Sequence, residues 1–180
     1  MTSSALDRTV AERPDFHLIT RSGVRLRLRQ VRADDGADLK KLLGSLTPED
    51  LRFRFLVSQN EPDAAQIGRL LTVDHRRTEH VLAFDELTCQ PVASLMIVAD
   101  PQMQTAEVAI AIASGARNRG IGWALLRHAA DLARARGIKK LRSIESRANH
   151  DALEVEHTLG FRSSTVEDDP ALVMVEADLA

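Results

Sequence analysis

The chain has 180 residues, 44% of them hydrophobic, which is enough apolar side chain for one buried core in one domain. Its formal net charge of -2 gives no general attraction for polyanions and argues against wholesale nucleic-acid binding, and no apolar run approaches the ~20 residues that cross a bilayer. The single cysteine, Cys89, permits no internal disulfide.

Residues 1–20 read as a flexible polar tail without the apolar stretch of a secretory signal, so residues 21–180 are expected to form a single domain in a cytoplasmic protein. Val24, Leu26 and Leu28 then alternate with Arg25, Arg27 and Arg29, the period of a strand with one buried and one wet face. Asp34 is placed to cap a helix carrying Leu39, Leu42, Leu43 and Leu46. Thr47, Pro48, Glu49 and Asp50 supply a cap, a first-turn proline and two acids for a second helix that begins LRFRFL. A third, short helix is expected from about Asp63 to Leu71. From His80 the pattern becomes VLAF, PVASLMIV and TAEVAIAIA, separated by turn residues, which predicts a three-stranded meander. The helix that starts near Gly122 carries Leu125, Leu126, Ala129, Leu132 and Ala133 on one side and stops at Gly137. LRSIES reads as a strand, Asn149 as the cap of a helix ending at Gly160 and Phe161, and FRSSTV and ALVMVEA as a final strand pair. The order is that of a mixed α+β layered domain and not of an alternating doubly wound sheet.

The segment ARNRGIG, residues 116–122, opens the long helix. A helix N-terminus carries unpaired N–H groups and partial positive charge, and glycine lets an anion approach them closely. The Gly-Lys-Ser/Thr of a Walker loop is absent, as is the third glycine of a dinucleotide fingerprint after a first strand. What remains is Arg117-x-x-Gly120-x-Gly122, between a meander strand and a helix.

This motif resembles the Arg/Gln-x-x-Gly-x-Gly/Ala signature of the GNAT superfamily of N-acetyltransferases. The strand AEVAIAIA, the helix WALLRHAADLARARG, the strand LRSIES, Asn149 and the LGF at Leu159 to Phe161 extend the likeness from about Thr105 to Phe161. The resemblance implies a mixed, mostly antiparallel sheet of six to seven strands with helices on both faces, and acetyl-CoA as co-substrate without a metal. It also implies that Arg117, Asn118, Arg119, Gly120, Ile121 and Gly122 hold the coenzyme's pyrophosphate. Backbone groups near Ile110 and Ile112 would line the pantetheine arm, one of them near Ile112 meeting the charge that develops on the thioester oxygen, and Asn149 would contact that arm. Asn118 stands where the family commonly has glycine, and asparagine tolerates left-handed backbone angles better than most residues.

Transfer to an amine requires the nucleophile to be neutral, yet an ammonium of the lysine type has a pKa near ~10.4, so a base must take its proton. Glu107 interrupts an otherwise apolar strand, where an unpaired buried charge would be costly. The stretch also resembles bacterial protein lysine acetyltransferases, a likeness that extends to GVRLRLRQVRADD, LRFRFL and VDHRRTEHVLAF and implies that Glu107 is the catalytic base, acting through water. Many GNAT enzymes protonate the departing thiolate with a tyrosine shortly before the final Gly-Phe. This chain has no tyrosine, and Glu156 occupies that position. A glutamate with an ordinary pKa near ~4.3 is ionised at neutral pH and donates nothing unless burial raises it.

The expected activity is acetyl transfer to a primary amine, either a protein lysine or a small molecule. A non-catalytic acyl-CoA sensor is the competing reading, and monomer and homodimer both remain open. His75 and His80 are expected in a surface loop, Cys89 in a turn, and Trp123 in the core.

Overall fold

A computed structural model of the chain describes residues 14–47, 51, 63–167 and 169–179. Eight strands form one sheet: β1 (Phe16–Ile19), β2 (Arg25–Gln30), β3 (Thr78–Asp85), β4 (Pro91–Ala99), β5 (Thr105–Ile112), β6 (Lys140–Ser146), β7 (Arg162–Thr165) and β8 (Leu172–Asp178). The helices are α1 (Gly36–Gly44), α2 (Ala64–Leu71), α3 (Ile121–Ala135) and α4 (His150–Thr158). The strand order is β1-β2-β3-β4-β5-β6-β8-β7, one strand more than the upper end of the expected range. Every pairing is antiparallel except β5 with β6.

The additional strand is β1. It lies inside the span read as a tail and pairs with β2 from Phe16↔Leu28 to Ile19↔Arg25, so the ordered fold starts before residue 21. Its four residues are too few to show a period, and the flanking polar sequence hid it. The helix expected at LRFRFL lies outside the described residues apart from Leu51, which is buried.

Alternation along the strands sends side chains to two separate cores. On one face, α3 lays Leu125, Ala129 and Ala133 over Leu26, Leu95, Leu141 and Val175. On the other, Leu39, Leu42 and Leu43 of α1 and Leu70 of α2 pack on Leu82, Phe84 and Ala111. The helices therefore cover both faces, as the resemblance implied. Sequence-local devices set the helix ends. Asp63 and Gln66 form a reciprocal capping box at the start of α2, and Gly137, at φ 75°, follows α3 in the left-handed region where glycine is unstrained.

Two buried carboxylates tie elements together. Asp35 receives a bidentate Arg29 guanidinium at 2.6 and 2.7 Å, which fixes the start of α1 to β2. Glu79, on β3, is contacted by Arg136 beyond the end of α3, by His75 at 2.7 Å and by the Gln30 amide at 3.0 Å. His75 lies in a loop as expected, whereas His80 departs from that expectation. His80 is fully buried on β3, its Nδ1 2.7 Å from the Leu70 carbonyl, and His75 is half-buried against Glu79. The polar run around them concealed a buried strand start.

Leu125 is fully buried at the centre of the α3 face, whereas Leu87 is 93% exposed. Leu125→Ala is expected to lower unfolding free energy by about 2–5 kcal/mol and Leu87→Ala by less than about 0.5 kcal/mol, read from denaturant midpoints at constant m-value.

Candidate functional site

The ladder between β5 and β6 is short. It joins Thr105↔Lys140, Ala106↔Leu141 and Glu107↔Arg142, and then ends, although β5 continues to Ile112 and β6 to Ser146. Beyond Glu107, β5 stays paired with β4 in unbroken register up to Ala93↔Ile112, and β6 stays paired with β8 up to Ser146↔Leu172. The sheet thus opens along one seam while both lips remain supported.

Strand polarity shows which groups line the seam. The Thr105 carbonyl and the Ala113 N–H bond to the β4 side, at Asp100 and Val92, while the Gln104 carbonyl accepts from Lys140 on the β6 side. By alternation, Val108, Ile110 and Ile112 aim their N–H and C=O groups into the opening, where no ladder faces them. Ile110 and Ile112 are thus on the open side of β5, and the β4–β5 register runs without a bulge.

The wide end of the opening meets the start of α3. Asn118 has φ 57° and Gly120 φ 71°, so two left-handed residues turn the chain ahead of Ile121, the first helical residue. The first-turn N–H groups of α3 have no acceptor within the helix and face the approach from this loop. A Cβ on Gly122 would lie 3.3 Å from Ile112 Cδ1, so glycine permits the close approach of α3 to the lip of β5. The turn between β1 and β2 braces the loop from behind. The Ser22 hydroxyl donates to the Arg119 carbonyl at 2.7 Å, and a Cβ on Gly120 would lie 3.5 Å from Thr20 Cβ. Arg119 itself reaches Asp85 at 3.3 Å, so its side chain helps to anchor the loop to β3. Arg117 is exposed. Trp123 is half-buried and not a core residue: Arg21 lies 3.9 Å from its ring centroid and Arg127 5.4 Å. This combination of loop, helix start and open strand edge fits a pyrophosphate-bearing coenzyme with an extended, amide-containing arm.

Glu107 stands on the α1–α2 face, as alternation with Ala111 implies. The charge-burial problem does not arise, because its side chain is 47% exposed and Arg142 lies 3.6 Å away. The pairings Thr78↔Val98, Val98↔Glu107 and Glu107↔Arg142 place these four residues in one row across β3, β4, β5 and β6. Thr78 and Met96 also line a cleft of about 670 Å³ whose other wall is Ala65, Gly68, Arg69, Thr72 and Val73. The cleft and Glu107 therefore share a face, with the partly exposed Val98 between them.

Glu156 lies on the opposite face. It is 4% exposed, it accepts a hydrogen bond from the Ser143 hydroxyl, and its Oε2 has no partner among the described residues. Burial, and then the nearby Glu145 carboxylate, push its carboxyl up to about 8 against the lowering pull of the Ser143 bond. Burial likewise raises Glu145 to about 7, opposed by the Asn149 amide that donates to it at 3.0 Å. Asn149 also accepts from the Ala152 N–H at 3.4 Å, so its side chain is engaged at the start of α4 and with Glu145. Ser143 and Glu145 were not singled out in the sequence. Their signal was available: they share the inward phase of β6 with buried Leu141. Arg142 required the β5–β6 register. Among the described residues no group of three or more His, Cys, Asp or Glu side chains is arranged to hold a metal, and Cys89 lies exposed in a turn.

Residues 46–161 match the model of the acetyltransferase (GNAT) family. An acetyltransferase of Pseudomonas aeruginosa is 26% identical over 149 residues, which cover 82% of this chain and 80% of the relative. The fold is similar to the crystal structure of the GNAT domain of S. lividans PAT, with a TM-score of 0.81 at 22% identity over 91% of this chain and 96% of that one. It is also similar to a GNAT superfamily phosphinothricin acetyltransferase from Sinorhizobium meliloti in complex with AcCoA, with a TM-score of 0.69 at 18% identity over 86% and 89% of the two chains. The family match spans the cleft-lining residues, Glu107, the glycine loop and Glu156 alike, and the chain belongs to the acetyltransferase (GNAT) family.

Proposed function

We propose that this acetyltransferase moves an acetyl group from acetyl-CoA to a primary amine carried by a protein lysine, in a cytoplasmic setting. The observation that carries the reading is the seam between β5 and β6, with a left-handed anion loop at its wide end and a carboxylate on the last paired rung. In it, the backbone of Asn118 to Gly122 and the first turn of α3 hold the pyrophosphate. Arg117 adds positive charge beside it, and Arg119 keeps the loop in place. The open edge at Ile110 and Ile112 supplies N–H and C=O groups that pair with the pantetheine amides and face the thioester oxygen, where negative charge develops during transfer. Asn149, which caps α4, is assigned to the coenzyme arm by the same reading. When bound, acetyl-CoA supplies the activated acyl carbon.

Glu107 acts as the general base, through water. Arg142, 3.6 Å away, orients it, and its exposure leaves room for the water between carboxylate and ammonium. The lining of the neighbouring cleft supports a protein acceptor. Among its described residues there is no carboxylate, and Arg69 adds positive charge, so a free polycationic amine finds no counter-ion there. A single lysine presented by a protein brings one charge and leaves the rest of its surface outside. No described helix is long and apolar enough to cross a membrane.

Calorimetric titration with coenzyme A and thiol-release assays against polyamines, aminoglycosides and lysine-containing proteins test the reading. Micromolar binding with thiol release on protein substrates alone is expected. Release on small amines alone would overturn the lysine assignment, and no coenzyme binding would overturn the whole. Glu107→Gln is expected to lower kcat by about 10²–10⁴-fold while the coenzyme Kd stays within about threefold of the parent.

A further inference from the structure

A coenzyme with an adenosine 3′-phosphate carries charge at two separate places, the pyrophosphate and, one ribose away, a phosphate monoester that is for the most part a dianion at neutral pH. The loop and first turn of α3 suit the first of these. The pantetheine arm leaves them toward the seam, on the side where Gly122 meets Ile112. The adenosine end leaves on another side of the helix, and the groups standing there decide whether the second charge is met.

Trp123 and Arg127 stand about 100° and about 140° round α3 from Gly122, one turn apart on a flank turned away from β5. Arg127 is exposed, and its guanidinium carbon lies 5.4 Å from the Trp123 ring centroid. The β1–β2 turn brings the exposed Arg21 to 3.9 Å from the same centroid. That turn is fixed in place, because Ser22 donates to the Arg119 carbonyl at 2.7 Å, Thr20 lies against Gly120, and Phe16 of β1 stacks on His128 of α3 with centroids 4.8 Å apart. Two guanidiniums thus share one ring, and like charges so placed repel. Among the described residues neither is paired with a carboxylate. Asp131, one turn beyond Arg127, is bound by Arg134 at 3.2 Å, and Asp85 by Arg119 at 3.3 Å. The Trp123 Nε1 is buried and has no acceptor among the described residues. The cluster therefore presents donors alone, and a guanidinium laid over a ring face keeps its N–H edge for an oxyanion.

We propose that Arg21, Trp123 and Arg127 form the subsite for the coenzyme's ribose 3′-phosphate and make the protein select coenzyme A over its dephospho form. This rests on the reading above that the loop ahead of α3 holds the pyrophosphate. Arg21 and Arg127 give the phosphate charge-assisted N–H···O bonds, and the dianion relieves their mutual repulsion. Trp123 holds Arg21 in place by stacking and gives the adenosine end an apolar wall. Arg119 is engaged by Asp85, so the β1–β2 turn and the flank of α3 supply the charge that this part of the loop does not. A surface stack of purely structural value would make no distinction between two coenzymes that differ only in that phosphate.

Calorimetric titration of coenzyme A and of dephospho-coenzyme A into the same protein preparation tests it. The parent is expected to bind coenzyme A about tenfold or more tightly than the dephospho form, the effect of one or two charge-assisted bonds. Arg21→Ala and Arg127→Ala should each lower that ratio by about threefold or more, and the double variant should bring it to within about twofold of unity. Raising the salt concentration should shrink the parent's ratio as exposed charges are screened. Arg117→Ala, beside the pyrophosphate, should weaken both coenzymes alike and keep the ratio, whereas Arg134→Ala, on the same helix and paired with Asp131, should keep the ratio and both affinities. A partly misfolded variant binds both coenzymes less in the same proportion, so the ratio reports the subsite and not the fold. Equal affinity of the parent for the two coenzymes, or a full ratio kept by the double variant, would overturn the proposal and leave the loop reading standing. A parent that binds neither coenzyme would instead overturn the loop reading, and this one with it.

Discussion

The arrangement of the molecule depends on a ladder that stops after three rungs. β5 and β6 are parallel neighbours, and each has a longer antiparallel commitment elsewhere, β5 to β4 and β6 to β8. Antiparallel pairing is slightly the more stable per residue, so neither strand needs the other for its full length. The sheet behaves as two supported plates joined along a short edge. Backbone groups that an ordinary sheet would consume remain available at Val108, Ile110 and Ile112. A covered, close-packed protein seldom leaves such groups exposed along a central seam.

The surroundings of the seam follow from keeping it in shape. α3 presses onto β5 at the Gly122–Ile112 contact, and the β1–β2 turn supports the loop ahead of it through Ser22 and Thr20. Arg119 joins that loop to Asp85 at the end of β3. A loop with two left-handed residues is conformationally expensive to hold open in solution, and these contacts hold it before any ligand arrives. The short strand β1, far from the seam in the order of the sheet, thereby takes part in positioning the loop ahead of α3.

Most of this was legible in the sequence where the pattern was local. Turn residues bounded the meander, apolar spacing and Gly137 bounded α3, and the glycines of residues 116–122 marked the loop between a strand and a helix. β1 was not legible, because four residues in a polar setting carry no period. The burial of His80 was hidden for a similar reason, as one inward position among charged neighbours. The candidate carboxylates illustrate the division. Glu107 could be found from its strand, but its exposure and its Arg142 partner depend on a parallel register that no local signal encodes. Glu156 could be found by its distance from Gly160 and Phe161. Its raised carboxyl depends on burial first and then on Glu145, against the Ser143 bond, all of which arise only when α4 folds back on β6.

Glu107 and Glu156 lie on opposite sides of the sheet, and this separation has an evolutionary consequence. The cleft beside α2 and the row from Thr78 to Arg142 lie on one face of the sheet, while α3 and α4 pack on the other. On the acetyl-transfer reading proposed above, substitutions at Arg69, Thr72 or Met96 alter which molecules dock without disturbing the donor's side, because the sheet insulates the two. A lineage carrying this architecture is free to diversify its clientele while its supply of activated acyl groups stays constant. The flat barrier between the two surfaces works as a genetic firewall as well as a structural wall.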